Sequence, residues 1–271
     1  MTTTALQLPA SFSDVFGMGA PVEVYPVTRK SKWGSAIAAL VFLGGAGVAF
    51  LFGIWYTYDV YQQNGPAMIV NALIGPLVFA VIFFIIGLVG LWSLYVNWRK
   101  SVVIYQNGFA YSDHKGVKAW RWDEFQSIRA AVTKHYTNGI YTGTTHVYTL
   151  DKQDGERIVI NDSISKVEEV AGKIREAIFP QMYQRYSAAY NSGQPVAFGP
   201  VILSRADGIQ SGKKSYPWAE VSAVKIERGY IQVAKKGGGW FSGTSIPAAS
   251  VPNVEIMLSI IDQIIGLGVK K

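Results

Sequence analysis

The sequence predicts an α-helical membrane hairpin near the N-terminus, followed by an α+β region of two antiparallel β units, each closed by a C-terminal helix. Three observations predict this. Trp33 to Tyr58 and Val60 to Trp98 carry no charged residue, and only Asp59 separates the two runs. After Lys100 the pattern changes to short β-branched and aromatic runs punctuated by Gly and Asn turns. A Trp-led segment then recurs: Trp122-Asp123-Glu124-Phe125 is echoed by Trp218-Ala219-Glu220-Val221, 96 positions on.

Composition agrees with a membrane anchor. The 271 residues are 49% hydrophobic and 16% charged, where about a quarter is charged in an ordinary soluble chain. The deficit falls in the two apolar runs, and the net charge of +7 falls almost wholly after them. There is no cysteine, which excludes disulfides, thiol catalysis and thiolate metal sites. The first 28 residues hold no apolar core preceded by basic residues, so no cleavable signal peptide is expected.

The first span reads from about Ser35 to Tyr56, roughly 33 Å as a helix, against a ~30 Å hydrocarbon layer. The second, about Ala67 to Val96, is longer than needed and must tilt, kink near Pro76 or project beyond the bilayer. Asn64-Gly65-Pro66 makes the turn between them. Trp33, then Trp55, Tyr56 and Tyr58, then Trp92, Tyr95 and Trp98 mark the ends as an interfacial belt. Arg29, Lys30 and Lys32 precede the first span, Arg99 and Lys100 follow the second, and the loop has no Lys or Arg. The positive-inside rule then sets both termini in the cytoplasm, in a multi-pass protein of the cell membrane. Gly44, Gly45 and Gly47 form a small face, for packing within the hairpin or in a homo-oligomer. Asn71 is the one strongly polar side chain expected deep in a span.

The domain reading is therefore residues 1–32 as a cytoplasmic segment, 33–98 as the hairpin, 99–193 as the first β unit and 194–271 as the second. In the first, Val102 to Tyr105, Phe109 to Asp113 and Val117 to Trp122 read as strands around turns at Asn107-Gly108 and His114-Lys115-Gly116. Ile128 to Tyr136, His146 to Asp151 and Arg157 to Ile160 follow, with turns at Asn138-Gly139 and Asp154-Gly155. A helix carries Ile164, Val167, Val170, Ala171, Ile174, Ala177 and Ile178 on one face. Ser165 with Glu168, or Asp162, caps it, and Pro180 ends or kinks it. The second unit repeats the plan, with strands at Val201 to Ser204, around Gln210, and at Val221 to Glu227, Tyr230 to Val233 and Trp240 to Ile246. Its helix is capped by Asn253 and stopped by Gly266.

Strands first and a covering helix last is the order of a pleckstrin-homology-like barrel. Hairpin and repeats together resemble an uncharacterised bacterial family of membrane-anchored proteins. The matching features are Gly19 to Tyr25, Arg121-Trp122-Asp123-Glu124, Phe198-Gly199 and Pro217-Trp218. The resemblance implies a fold and a location and no activity. Two departures from ordinary pleckstrin-homology domains stand out. Neither closing helix carries a tryptophan, and the basic residues of the first hairpin, Lys115, Lys118 and Arg121, are spaced by three.

No nucleophile elbow, phosphate loop or dinucleotide fingerprint is present, so no enzyme and no cofactor are expected. His135 and His146 could meet across a hairpin but lack a third ligand of metal-site spacing. Asp123-Glu124 resembles a carboxylate pair, yet its echo at Glu220 suits a structural turn. Candidate contacts to lipid or a partner are Lys235, Lys236, Trp240 and Phe241, two cations and two aromatics flanking three glycines, and the cationic turn Lys213-Lys214. A charge of +7 over the last 173 residues is too dilute for a nucleic-acid face. The expectation is a membrane-tethered, non-enzymatic cytoplasmic binding or scaffold protein that contacts membrane lipids and a protein partner. An anionic-lipid headgroup sensor and an enzyme with an unrecognised site are the alternatives.

Overall fold

The computed structural model describes residues 12, 15, 17–237 and 243–266. Helix α1 (Arg29–Asn64) turns at Gly65 (φ 75°) and a 3-10 turn, Pro66–Met68, into helix α2 (Ile69–Trp98). At 1.5 Å per residue they are ~54 and ~45 Å long, and both are long and apolar enough to cross a membrane. Small residues let them approach. Gly45 lies against Phe83, Gly53 against Pro76 and Gly87 against Leu43. Gly44 and Gly47 face open space instead, so the expected small face is divided between packing and exposure. Helix α2 runs through Pro76 without stopping. Asn71 lies in the first turn of α2, exposed, and not deep in the span as expected.

The first β unit has a sheet ordered β1 (Pro21–Pro26), β2 (Ser101–Tyr105), β3 (Gly108–Asp113) and β4 (Gly116–Arg121). A 3-10 turn, Trp122–Glu124, leads into a second sheet of β5 (Phe125–Thr137), β6 (Ile140–Lys152) and β7 (Arg157–Asn161), and helix α3 (Val167–Asn191) follows. The second unit repeats this order. Strands β8 (Val196–Phe198), β9 (Val201–Ser204), β10 (Gly208–Ser211) and β11 (Lys214–Tyr216) form its first sheet. After a 3-10 turn at Trp218–Glu220 come β12 (Val221–Glu227), β13 (Tyr230–Lys235), β14 (Thr244–Pro247) and helix α4 (Val254–Ile265).

The duplication extends to hydrogen bonds. Trp122 donates its indole N–H to the Gln106 carbonyl (3.0 Å), and Trp218 donates to that of Ser204 (2.8 Å). Gly108 and Gly208 both pass so close to the neighbouring strand that a Cβ would lie 2.3 Å from the Trp120 carbonyl oxygen or 2.0 Å from that of Tyr216. Gly108 is therefore needed for close approach. The hairpin turn itself is Gln106-Asn107, one residue earlier than the expected Asn107-Gly108.

The sheet does not follow the expected division at residue 99. Strand β1 lies upstream of the hairpin and pairs with β2, with Pro26 opposite Ser101 and Tyr25 opposite Val102. The hairpin is thus an insertion between the first two strands of the first unit. Tyr25 is 2% exposed and belongs to the main core. The Met18 and Ala20 carbonyls accept from Asn107 and Gln106 N–H, while Phe12, Met18, Val103, Tyr105 and Ala110 form a small second core on the outer face of this sheet. Buried on both faces, β2 reads as a continuous apolar run instead of an alternating one.

Three local expectations also change. Helix α3 has no Ser165–Glu168 capping box or Asp162 cap: Lys166 adopts φ 51°, and the helix begins at Val167. Helix α3 continues through Pro180 to Asn191. Its first half covers the first unit, while Tyr186 stacks on Phe198 (centroids 5.0 Å apart) and Tyr190 meets Trp218 edge-on. One apolar core therefore runs through both units. Asn253 stands where the α4 cap was expected, but its side chain makes no capping bond (φ 51°). Its Oδ1 instead accepts from the Ile128 N–H (3.0 Å), and its Nδ2 donates to the Gln126 carbonyl and the Tyr186 hydroxyl, both at 3.2 Å. It ties the two units together.

Candidate functional site

The most distinctive surface lies where the hairpin enters the first sheet. Because Pro26 and Ser101 are paired, the start of α1 and the end of α2 emerge side by side. Val27 bridges to Ile164, and the Thr28 N–H donates to the Ser163 carbonyl (2.7 Å), which brings the end of β7 to the same corner. Thr28 caps α1 by accepting from the Ser31 N–H. The turn between β3 and β4 reaches the other helix, where the His114 ring packs on Trp92 and Tyr95 at centroid distances of 6.4 and 6.2 Å. The two helices are stitched at this base by Ser35 and Ser93 (3.1 Å) and by Lys32 over the Trp98 ring. Burial pulls the Lys100 ammonium down, partly offset by Asp113.

A polar groove of about 580 Å³ opens here between hairpin and β unit, lined by Lys30, Ser31, Ser35, Ser93 and Asn97 on one side and Thr144, Thr145, Asp162 and Ser163 on the other. A second cleft, about 390 Å³, lies between α3 and α4 and holds Tyr190, Arg205, Trp218 and Gln263.

Strand β1 is bolted to α3 by charge. Lys173 binds Glu23, Tyr25 donates to Glu169 (3.0 Å), and Lys166 pairs with Glu169 (3.1 Å). The Lys173 hydrogen bond holds the Glu23 carboxyl below the usual range, and Glu23 in turn holds Lys173 above its own. Burial first, then the neighbouring Glu23, pushes the Tyr25 phenol up.

Of the expected contact residues, Lys213, Lys214, Lys235 and Lys236 are absent from the lining of this groove. Lys235 is exposed but pairs with Glu220 (2.8 Å), which holds its ammonium above the usual range. Lys152 makes the same contact with Glu124 in the first unit (3.2 Å). The backbone match is also complete: Lys236 N–H bonds the Glu220 carbonyl as Gln153 N–H bonds that of Glu124. Lys235 is thus part of the repeated turn. Lys236 is exposed, and Trp240 and Phe241 lie outside the described residues. Lys213 and Lys214 are exposed at the turn into β11. His135 and His146 do not meet. His135 bonds Thr145, whereas His146 sits between Asp162 (3.0 Å) and Glu168 (2.9 Å). Among the described residues, no group of three or more His, Asp or Glu is placed to hold a metal ion.

Sequence reasoning missed the groove and the tie between Glu23 and Lys173. Two signals could have exposed the structural role of Lys235 and the reach of the first unit: alignment of Lys152 with Lys235 across the repeats, and the alternation in Val22-Glu23-Val24-Tyr25 ahead of the hairpin. Comparison with curated proteins gives no match. Residues 17–266 match the model of DUF6585, a family of unknown function, and the chain belongs to that family.

Proposed function

We propose that this protein is a membrane-tethered, non-enzymatic binding or scaffold protein, with its hairpin across the bilayer, both termini in the cytoplasm and two pleckstrin-homology-like units on the cytoplasmic side. The carrying observation is the insertion of an apolar hairpin between paired strands, which makes the anchor part of the binding domain. Leu40, Phe79 and Val89, among many others, are more than half exposed along it, a continuous apolar surface of a kind soluble monomers rarely carry. Arg29, Lys30 and Lys32 stand at the N-terminal end of α1, where each cation opposes the helix dipole by about 0.3–1 kcal/mol. Retention of cations by the cytoplasmic leaflet accounts for their place.

The pleckstrin-like reading rests on a four-stranded sheet, a three-stranded sheet and a closing helix, occurring twice in the same order. The non-enzymatic reading rests on how the charges are used. Asp151 is held by Arg129 and Arg157, Glu156 by Lys118, and Glu255 by Arg175, so these groups fasten strands and helices to one another. The cleft at Arg205 and Trp218 offers a cation beside an aromatic, suited to a protein segment.

Since the chain has no cysteine, topology can be tested with single introduced ones. Gln63→Cys should react with an impermeant maleimide in intact cells. Lys213→Cys should react only after lysis; it serves better than Ser101, which is buried in β2. The reverse pattern refutes the cytoplasmic assignment. Release of the chain from membranes by alkaline carbonate refutes the membrane span.

A further inference from the structure

One difference between the two units is the length of a ribbon. Strands β12 and β13 have 7 and 6 residues, whereas β5 and β6 have 13 each. The repeated turns align the bases of both ribbons, with Phe125 opposite Lys152 and Val221 opposite Lys235, each beside a register shift. The added length is therefore at the tip. From Val132 to Thr137 and from Ile140 to Thr142 every residue is exposed. A free two-stranded ribbon is at best marginally stable in water.

The tip is also apolar. Val132, Tyr136, Ile140 and Tyr141 are 53%, 61%, 71% and 55% exposed, and the two tyrosine rings meet edge-on at 5.9 Å. Asn138 (φ 50°) and Gly139 (φ 80°) close it in a tight turn. From Phe125 to Leu150 the ribbon contains Arg129 and Lys134 and no acidic residue.

Its starting point follows from the register. Strand β7 ends at Asn161 opposite Val147, beside the start of α1. The ribbon continues past that level, where Thr144 and Thr145 line the groove facing Lys30, Ser31 and Ser35. Five further residues at about 3.3 Å each carry Gly139 ~17 Å along the strand beyond Thr144, starting from the groove at the base of the hairpin whose flank is the lipid-facing surface proposed above.

We infer that the β5–β6 ribbon is a second membrane contact: its tip enters the headgroup region of the cytoplasmic leaflet, with Tyr136, Ile140 and Tyr141 at the acyl boundary and Lys134 toward anionic headgroups. Tyrosine suits that depth because its ring is apolar and its hydroxyl stays hydrated. This contact is separate from the one expected at Lys235–Phe241, of which Trp240 and Phe241 lie outside the described residues. Together, hairpin and ribbon hold the first unit at a fixed attitude to the bilayer.

The inference rests on the hairpin crossing a bilayer, so the test separates the two. The full chain, carrying one introduced cysteine labelled with an environment-sensitive fluorophore, is reconstituted in vesicles of phosphatidylcholine and phosphatidylserine containing nitroxide-labelled phospholipid. Phe79→Cys on the hairpin reports the span, Ile140→Cys reports the tip, and Asp154→Cys reports the opposite end of β6. The expected result is blue-shifted emission and several-fold nitroxide quenching at 79 and 140, with neither at 154. Quenching at 79 with water-like, unquenched emission at 140 overturns the ribbon contact and leaves the span standing. Blue-shifted but unquenched emission at 140 means that protein covers the tip, which also overturns it. No quenching at 79 overturns the membrane reading itself.

Discussion

If the hairpin is an insertion in an otherwise complete β unit, removing it while keeping β1 should leave a soluble folded protein. Pro26 and Ser101 are paired neighbours, so replacing Arg29–Arg99 with Asn-Gly closes a loop of about five residues, a common hairpin length. Val27 and Thr28 keep their bonds to Ile164 and Ser163. Starting the chain at Arg99 is a different perturbation, because it discards β1. That loses Tyr25, 2% exposed, and Val27, 7% exposed, together with the ladder to β2. Deleting a buried aromatic alone costs about 3–5 kcal/mol, and domain stabilities are only about 5–15 kcal/mol. The excised fusion should elute as a discrete species with a β-rich far-ultraviolet spectrum and a cooperative urea transition. The chain from Arg99 should lose most of its transition or aggregate. Equal stability of the two would refute the assignment of β1 to the first unit's core.

Other contacts give sharper, smaller tests, each read by urea denaturation of the excised fusion. Asn253→Ala leaves the buried Ile128 N–H without its side-chain partner, at about 1–3 kcal/mol, and should cost more than Asn253→Gly, which tolerates φ 51°; a change below about 1 kcal/mol in both would show that Asn253 does not couple the units. Trp122→Phe and Trp218→Phe each remove one indole-to-carbonyl bond from a half-buried ring and should cost a similar ~1 kcal/mol; a strong asymmetry would contradict equivalence of the two turns. Glu23 has its carboxyl pKa lowered from 4.5, chiefly by Lys173, so its stabilisation is present above the unfolded value and is lost as pH falls through the folded one. The fusion should therefore lose more stability on acidification below about pH 4.5 than its Lys173→Met variant; parallel pH profiles would show that the pair contributes nothing.

How much was legible in the sequence depended on range. The hairpin showed in its uncharged runs, because two helices long and apolar enough to cross a membrane carry their signal in every residue. Most strands of the units showed in turn residues and period, which are local. Strand β1 did not, because its partner lies across an insertion of about seventy residues and no local period reports pairing at that distance. Asn253 misled because the residue that favours a helix cap also tolerates positive φ; only the neighbouring unit decides between the two uses. Lys235 read as a free cation because its partner Glu220 sits on another element. Its twin, Lys152, is what exposes the role.

A duplicated fold supplies its own control, since whatever both copies keep is needed to build the unit. The Trp-led turn, the Glu–Lys pair beside it, the glycine pressed against a carbonyl and the paired helix starts at Lys166 and Asn253, both at φ 51°, all recur and are accounted for by packing. What only one copy has is not required by the unit. The first unit alone carries the hairpin between β1 and β2, the long β5–β6 ribbon beside it, and the Glu23–Lys173 tie that fixes β1. The second unit alone carries the exposed Lys213-Lys214 turn and the cleft rim residue Arg205. The copies therefore differ in what each adds to the shared unit. The first carries the apolar hairpin and the long ribbon, while the second lines much of the cleft where α3 and α4 converge; on the function proposed above, the first is the copy that meets the membrane and that cleft is where a partner is best sought.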